Sequence, residues 1–142
     1  MNILFLCTGN SCRSQMAEGW ARHLHSAVIN AFSAGIEKHG LNPLAVQVMA
    51  EAGVDISGQR SKLVSELPRR EFDLVVTLCN HALETCPYFP GRTLHRGFDD
   101  PPQLAAHARS AGEALNHYRR VRDEIRTFIL ELPAILRAEG CR

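Results

Sequence analysis

The chain has 142 residues, with 16 Lys and Arg against 15 Asp and Glu, 45% hydrophobic and 22% charged. One compact domain is expected at this length. A net charge of +1 argues against the broad basic face of a general nucleic-acid binder, and no apolar run approaches the roughly 18 residues of a membrane span. Five cysteines, at positions 7, 12, 79, 86 and 141, are an odd number in a chain large enough to bury a core without disulfide staples. Met1-Asn2 leads straight into Ile3-Leu4-Phe5-Leu6 without a charged leader. The expectation is a cytosolic monomer whose thiols stay reduced unless they have chemistry to do.

In chain order, residues 2–7 form a continuous apolar run that reads as a buried strand. Thr8-Gly9-Asn10-Ser11 is loop chemistry. Met16, Trp20 and Leu24, with Ala17 and Ala21, give the stripe of a helix over 13–25. Val28 to Phe32 predicts a second strand, closed by Ser33-Ala34-Gly35. Pro43 opens a helix with Leu44, Val48 and Met49 on its apolar face, and Gly53 ends it. The polar stretch 57–72 predicts one short helix over Ser61 to Leu67. Asp73 to Leu78 is a β-branched strand. Residues 80–86 predict a short helical turn ended by Pro87 and Pro90, and Thr93 to His95 a last short strand. Pro101-Pro102 predicts a loop. Leu115, Tyr118, Val121, Ile125, Phe128, Ile129 and Leu132 mark a helix over 111–132, which Pro133 should kink or interrupt before 134–138. His23, His25, His39, His107 and His117 read as surface residues, Arg119-Arg120-Val121-Arg122 as a solvated helix face and Trp20 as core. Strands alternating with helices argue for the α/β class with a parallel sheet.

Three segments carry chemistry. Cys7-Thr8-Gly9-Asn10-Ser11-Cys12-Arg13-Ser14 has the pattern Cys-x5-Arg-Ser between strand and helix. A loop entering a helix offers unpaired N–H groups and the positive end of the helix dipole, which suits an oxyanion. Gly9 would allow a backbone conformation closed to other residues, and Asn10 tolerates left-handed geometry. Arg13 offers a planar fork for two oxygens. Cys7 in that field is expected to become a thiolate nucleophile, with Ser14 donating to it. Cys12 reads equally well as a packed small residue or a redox partner. The second segment, Cys79 to Cys86, follows the strongest strand, at the sheet edge where ligands bind in open α/β folds. Thiols there can supply two electrons by forming a disulfide, provided the segment 79–90 changes conformation to bring the sulfurs together. A zinc site lacks four ligands at metal spacing. His81 could tune a thiol, and Cys141 reads as a tail thiol. The third segment, His95-Arg96-Gly97-Phe98-Asp99-Asp100-Pro101, sets two carboxylates before a proline. That suits a positioned proton donor with a raised pKa near a bound anion. Asp99 reads as structural or electrostatic.

The run Phe5 to Trp20, above all Ser14-Gln15-Met16-Ala17-Glu18-Gly19-Trp20, resembles the opening of the thioredoxin-coupled arsenate reductases, which share the fold of low-molecular-weight protein tyrosine phosphatases. The resemblance implies a single domain over 1–142, with a four-stranded parallel sheet flanked by helices on both faces. It implies arsenate as substrate, with phosphate or sulfate as analogues, in a cradle of Thr8, Gly9, Asn10, Ser11, Cys12 and Arg13. It further implies catalysis by Cys7, Arg13, Ser14 and Asp100, and a relay from Cys7 to Cys79 to Cys86 emptied by thioredoxin. Glutaredoxin or mycothiol systems serve related reductases. No cofactor is expected to be bound. Many members hold a structural potassium ion. The matching positions are Asn10, Glu18 and Ser33, but Lys62 stands where such members carry an acid, so its ammonium is expected to replace the ion. A phosphatase, or a redox-switched oxyanion-binding module, is the alternative. Pro102-Gln103 in place of the tyrosine that usually follows the phosphatase Asp-Pro counts against the phosphatase.

Overall fold

The structure, a computed structural model, describes residues 1–69, 71–79 and 91–138. The expected turn over 80–86, and with it His81, Cys86 and Cys141, lies outside the described residues.

Four parallel strands, β1 (Asn2–Cys7), β2 (Asn30–Gly35), β3 (Leu74–Thr77) and β4 (Thr93–His95), lie in the order β2-β1-β3-β4. β1 is central and buried on both faces, which explains its unbroken apolar run. Side chains alternate across a strand. Ile3, Phe5 and Cys7 therefore face one core with Leu74 and Val76, while Leu4 and Leu6 face a second with Ala34 and Val75. The larger core receives α1 (Arg13–His25), α2 (Pro43–Glu51) and α4 (Ala111–Ala138), with the short α3 (Pro101–Ala105) packed on α4. Among the described residues the other face is covered by a 3-10 helix, Val64–Glu66, with Leu67 and the edge-on pair Phe32 and Phe72.

The second strand starts at Asn30 rather than Val28, because Val28 and Ile29 close the end of α1 by donating to the His25 carbonyl. The short helix expected over 61–67 is only the 3-10 turn. Pro101 and Pro102 begin α3 instead of forcing a loop. Proline needs no N–H partner in a first helical turn, and extended Asp100 before it serves as N-cap. Trp20 is buried as expected, donating its indole N–H to the Arg122 carbonyl. Arg122 is no solvated residue. It is largely buried and donates to the Val48 carbonyl near the end of α2, while Arg119 clamps Glu51 with two bonds.

α4 also runs through Pro133 without a break. A proline cannot donate to the carbonyl four residues back, here that of Ile129. His25 supplies the missing donor: its Nε2 lies 2.7 Å from the Ile129 oxygen. His25 is thus a half-buried cross-brace between α1 and α4, not a free surface residue. We expect His25→Ala to lower stability by about 1–3 kcal/mol, the cost of an unpaired buried carbonyl. In a Pro133→Ala background, where the helix regains its own N–H, the cost should fall below half of that. Urea unfolding of the four proteins of this cycle checks the coupling.

Candidate active site

The loop from Cys7 to Arg13 joins β1 to α1, and its carbonyls are all tied to the surrounding protein. The Thr8 oxygen accepts from Glu37 N, that of Gly9 from His39 N and Ser61 Oγ, and that of Ser11 from Asn42 N. The Asn10 carbonyl accepts from Gln15 Nε2, and that of Cys12 from Met16 N. None of the described peptides is cis, and in a trans peptide the N–H points opposite the carbonyl. With carbonyls drawn outward, the following N–H groups turn toward the inside of the loop. No side chain caps α1, so its first turn adds the dipole's positive end. The result is a cavity of about 280 Å³ lined by Cys7, Gly9, Arg13, His39, Asn42 and Asp100, among others.

The left-handed turn in this loop is made by Asn10, at φ 47°. Gly9 does not take the left-handed conformation; a Cβ there would lie 2.2 Å from Nδ1 of His39, an exposed ring that would have to turn aside. Gly35 carries a harder constraint. A Cβ on it would meet the Thr8 oxygen at 2.6 Å and Asn10 N at 2.8 Å, both backbone atoms.

Cys7 Sγ lies 2.9 Å from Ser14 Oγ. That hydroxyl accepts from Asn10 Nδ2 at 2.8 Å, which leaves its own proton free to turn to the sulfur. Gln15 Nε2 donates to both the Asn10 side-chain oxygen and the Arg60 carbonyl, and Gln59 donates to Gln15 Oε1 at 2.8 Å. Gln15 and Gln59 were not singled out in the sequence, because buried amides have no spacing signature. Burial pushes the Cys12 thiol well above its ordinary value, with Asp100 and Cys7 adding to the rise and Arg13 opposing it. Cys12 therefore stays a neutral thiol that lines the cavity.

Arg13 is buried and donates Nη1 to the Phe98 carbonyl at 3.1 Å, with Nη2 3.7 Å from Asp100 Oδ1. This holds the acid loop over the anion loop. Asp100 is the N-cap residue of α3 but makes no side-chain cap there. Asp99 instead pairs with Arg120 at 3.1 Å, a structural role as expected. Cys79 is buried just beyond β3 and is disulfide-bonded, while Cys7 and Cys12 are free. Leu6 pairs with Thr77 in the β1–β3 register, so Cys7 and Cys79 leave neighbouring strands at one edge.

Behind the loop, Glu18 is buried and accepts from Ser33 Oγ at 2.5 Å and Arg22 Nη2 at 2.8 Å, with Lys62 Nζ 3.7 Å away. The Lys62 backbone N–H bonds to Asn10 Oδ1 at 2.8 Å. Burial pushes the Lys62 ammonium below its ordinary value, and Glu18 partly offsets this. Among the described residues, no group of three or more His, Cys, Asp or Glu is arranged to hold a metal, and no helix is long and apolar enough to cross a membrane.

A cysteine at the end of a central parallel strand, facing inward N–H groups, an arginine and a carboxylate, defines an enzyme of thiol chemistry on a tetrahedral oxyanion. The chain belongs to the low molecular weight phosphotyrosine protein phosphatase family, which it matches over residues 2–140. It is 50% identical over 125 residues to arsenate reductase 2 of Staphylococcus saprophyticus, covering 87% of this chain and 88% of that one. Its fold superposes on a solved arsenate reductase in the phosphate-binding state with a TM-score of 0.76 at 32% identity, covering 94% and 96% of the two chains. The fold is shared with a thioredoxin-dependent arsenate reductase of Corynebacterium glutamicum, with a TM-score of 0.66 at 24% identity, covering 97% of this chain and 62% of that one.

The Gly35 approach gives a direct test of the cradle. Gly35→Ala should cost about 1–3 kcal/mol of stability, as overpacking against backbone does, and should weaken phosphate binding to the loop. Urea unfolding and titration calorimetry measure the two effects. Unchanged phosphate binding would show that the loop holds its shape without this contact.

Proposed function

We propose that this chain is an arsenate reductase in which Cys7, Cys79 and Cys86 pass two electrons to arsenic and thioredoxin restores them. The observation that carries the relay is the oxidised state of Cys79 beside a free Cys7. A hydrolytic phosphatase has no use for a disulfide-forming cysteine at the edge that holds its nucleophile.

Arsenate sits in the loop with its oxygens on the inward N–H groups and Arg13. The Cys7 thiolate attacks arsenic, and an oxygen leaves as water with a proton from Asp100, while the N–H groups and Arg13 stabilise the charge that develops. Cys79, as a thiolate, then attacks the Cys7 sulfur. The sulfur–arsenic bond breaks, its electron pair stays on arsenic, and arsenite departs from a Cys7–Cys79 disulfide. Cys86 attacks Cys79, which frees the Cys7 thiolate and leaves Cys79 paired with Cys86. A disulfide-bonded Cys79 with Cys7 free is the arrangement that follows this step. The dithiol of thioredoxin returns the two electrons. The reading is of a monomer, and the need for reduced thiols supports a cytosolic setting.

The potassium ion that the resemblance implies does not fit these residues. Asn10 Oδ1 already accepts from Lys62 N and Gln15 Nε2, and Glu18 already faces one ammonium and one guanidinium. Lys62 takes the place of the ion as the internal counter-charge of Glu18.

Two experiments follow. With thioredoxin, its reductase and NADPH, the wild type should oxidise NADPH in proportion to arsenate, whereas Cys79→Ser should release at most one arsenite per chain. Sustained turnover by that variant would refute the relay. Exchanging sodium for potassium at constant ionic strength should leave the wild-type Tm unchanged, while Lys62→Asp should gain a potassium-specific rise. A potassium-specific rise in the wild type would refute the substitution.

A further inference from the structure

The start of α2 meets the anion loop at Asn42. Its backbone N–H donates to the Ser11 carbonyl at 3.0 Å, and the residue lines the cavity together with Cys7, Arg13 and Asp100. Its side-chain oxygen accepts from Leu44 N at 2.8 Å and Ala45 N at 3.3 Å, as the cap of α2. Those two donors fix which way the amide is turned, because an NH2 group could not accept from them. The nitrogen Nδ2 is therefore held away from the helix start, where it donates to the hydroxyl of buried Tyr118 at 3.0 Å. An amide nitrogen carries two hydrogens. Tyr118 takes one, and among the described residues no hydrogen bond takes the other.

We propose that Asn42 is a further oxyanion-binding residue, whose second amide hydrogen bonds to an oxygen of the bound anion. The proposal rests on the reading of this cavity as an oxyanion site and adds a residue to it. A tetrahedral anion spreads its oxygens in four directions, so a loop that cradles it from one side leaves outward oxygens to other segments. Outside the loop, Asp100 and Pro102 also line the cavity, but an ionised carboxylate only accepts and a proline side chain has no donor. Asn42 brings a donor whose orientation the fold has already set, through the cap of α2 and the Tyr118 hydroxyl. A pre-set donor loses little freedom when the anion arrives. The amide is also neutral, so its contribution does not depend on a titration.

The test is titration calorimetry of inorganic phosphate into the reduced full-length protein at neutral pH, for wild type, Asn42→Ser and Tyr118→Phe. Serine still caps α2 but carries no amide arm. Both variants lose the bond between Asn42 and Tyr118, and only Asn42→Ser loses the donor to the cavity. Asn42→Ser should weaken phosphate binding about tenfold, or about 1.4 kcal/mol, while Tyr118→Phe should stay within about twofold of wild type. Equal losses in the two variants would overturn the proposal, since they would mean that Asn42 only braces the fold. No loss in Asn42→Ser would overturn it too. A measurement on the wild type itself is independent of how the variants fold. In isotope-labelled protein the Asn42 side-chain amide is identified by its absence from the spectrum of Asn42→Ser. Saturating phosphate should move one of its two protons downfield and leave the other, held by Tyr118, in place. If neither moves, the second hydrogen serves Asp100 or water and the proposal falls. A wild type that binds no phosphate would remove the oxyanion site and this proposal with it. The other outcomes leave the arsenate reading standing, because arsenate-dependent NADPH oxidation decides that separately.

Discussion

The outward bonding of five successive carbonyls, from Thr8 to Cys12, is the constraint on which the rest of the site depends. A tight loop with its carbonyls inward would repel an anion. Here each carbonyl has an assigned donor: the β2–α2 segment and Ser61 come from farther along the chain, and Gln15 and Met16 from the start of α1. The close approach of Gly35 to the loop backbone brings the first of these within reach. The sheet supplies the framework, since β2 lies beside β1 in register with Cys7 opposite Gly35. Strand pairing, the glycine and the cradle are therefore one structural unit.

The two cysteines of that loop show how position decides chemistry within a few residues. Cys7 sits at the strand end, with the Ser14 proton free to turn to its sulfur. Cys12 sits at the N-cap of α1 and is equally buried, but burial and the nearby Asp100 and Cys7 keep its proton on. A second thiolate there would compete with the substrate for the same N–H groups. A neutral Cys12 leaves the positive field of Arg13 and the helix start to the anion. This also accounts for a near-neutral chain that binds a small multiply charged ion, since the field needed is local.

Much of this was legible in the sequence, for physical reasons that can be named. β1 could be read because burial on both faces demands an unbroken apolar run, and α4 because one buried face imposes the period seen from Tyr118 to Leu132. Cys7, Arg13, Ser14 and Asp100 could be read because their chemistry is tied to a loop between a strand and a helix and to a carboxylate before proline. What escaped depended on partners far along the chain. His25 looks like any polar helix residue until Pro133 leaves the Ile129 carbonyl beside it. Gly9 suggested backbone freedom, whereas the left-handed turn falls on Asn10 and Gly9 lies against the His39 ring. Asn42 carried a weak signal, as a capping residue directly before Pro43. Its contact with the anion loop appears only when β2 delivers the segment there.

Lys62 joins the back of the site to its front. Its ammonium faces Glu18, and its backbone N–H bonds to the side chain of left-handed Asn10, which in turn donates to Ser14, the residue that touches Cys7. A loosely held ion could neutralise Glu18 equally well, but it would leave when its concentration fell. A side chain on the same backbone as the Asn10 contact cannot leave. Its cost is the desolvation that lowers the ammonium's proton affinity, and buried charge pairs often fail to repay such a cost in stability. In the proposed exchange of ion for lysine the gain lies in positioning: the charge beside Glu18 and the bond that holds Asn10 belong to one residue, so the geometry around Cys7 would not depend on the salt outside.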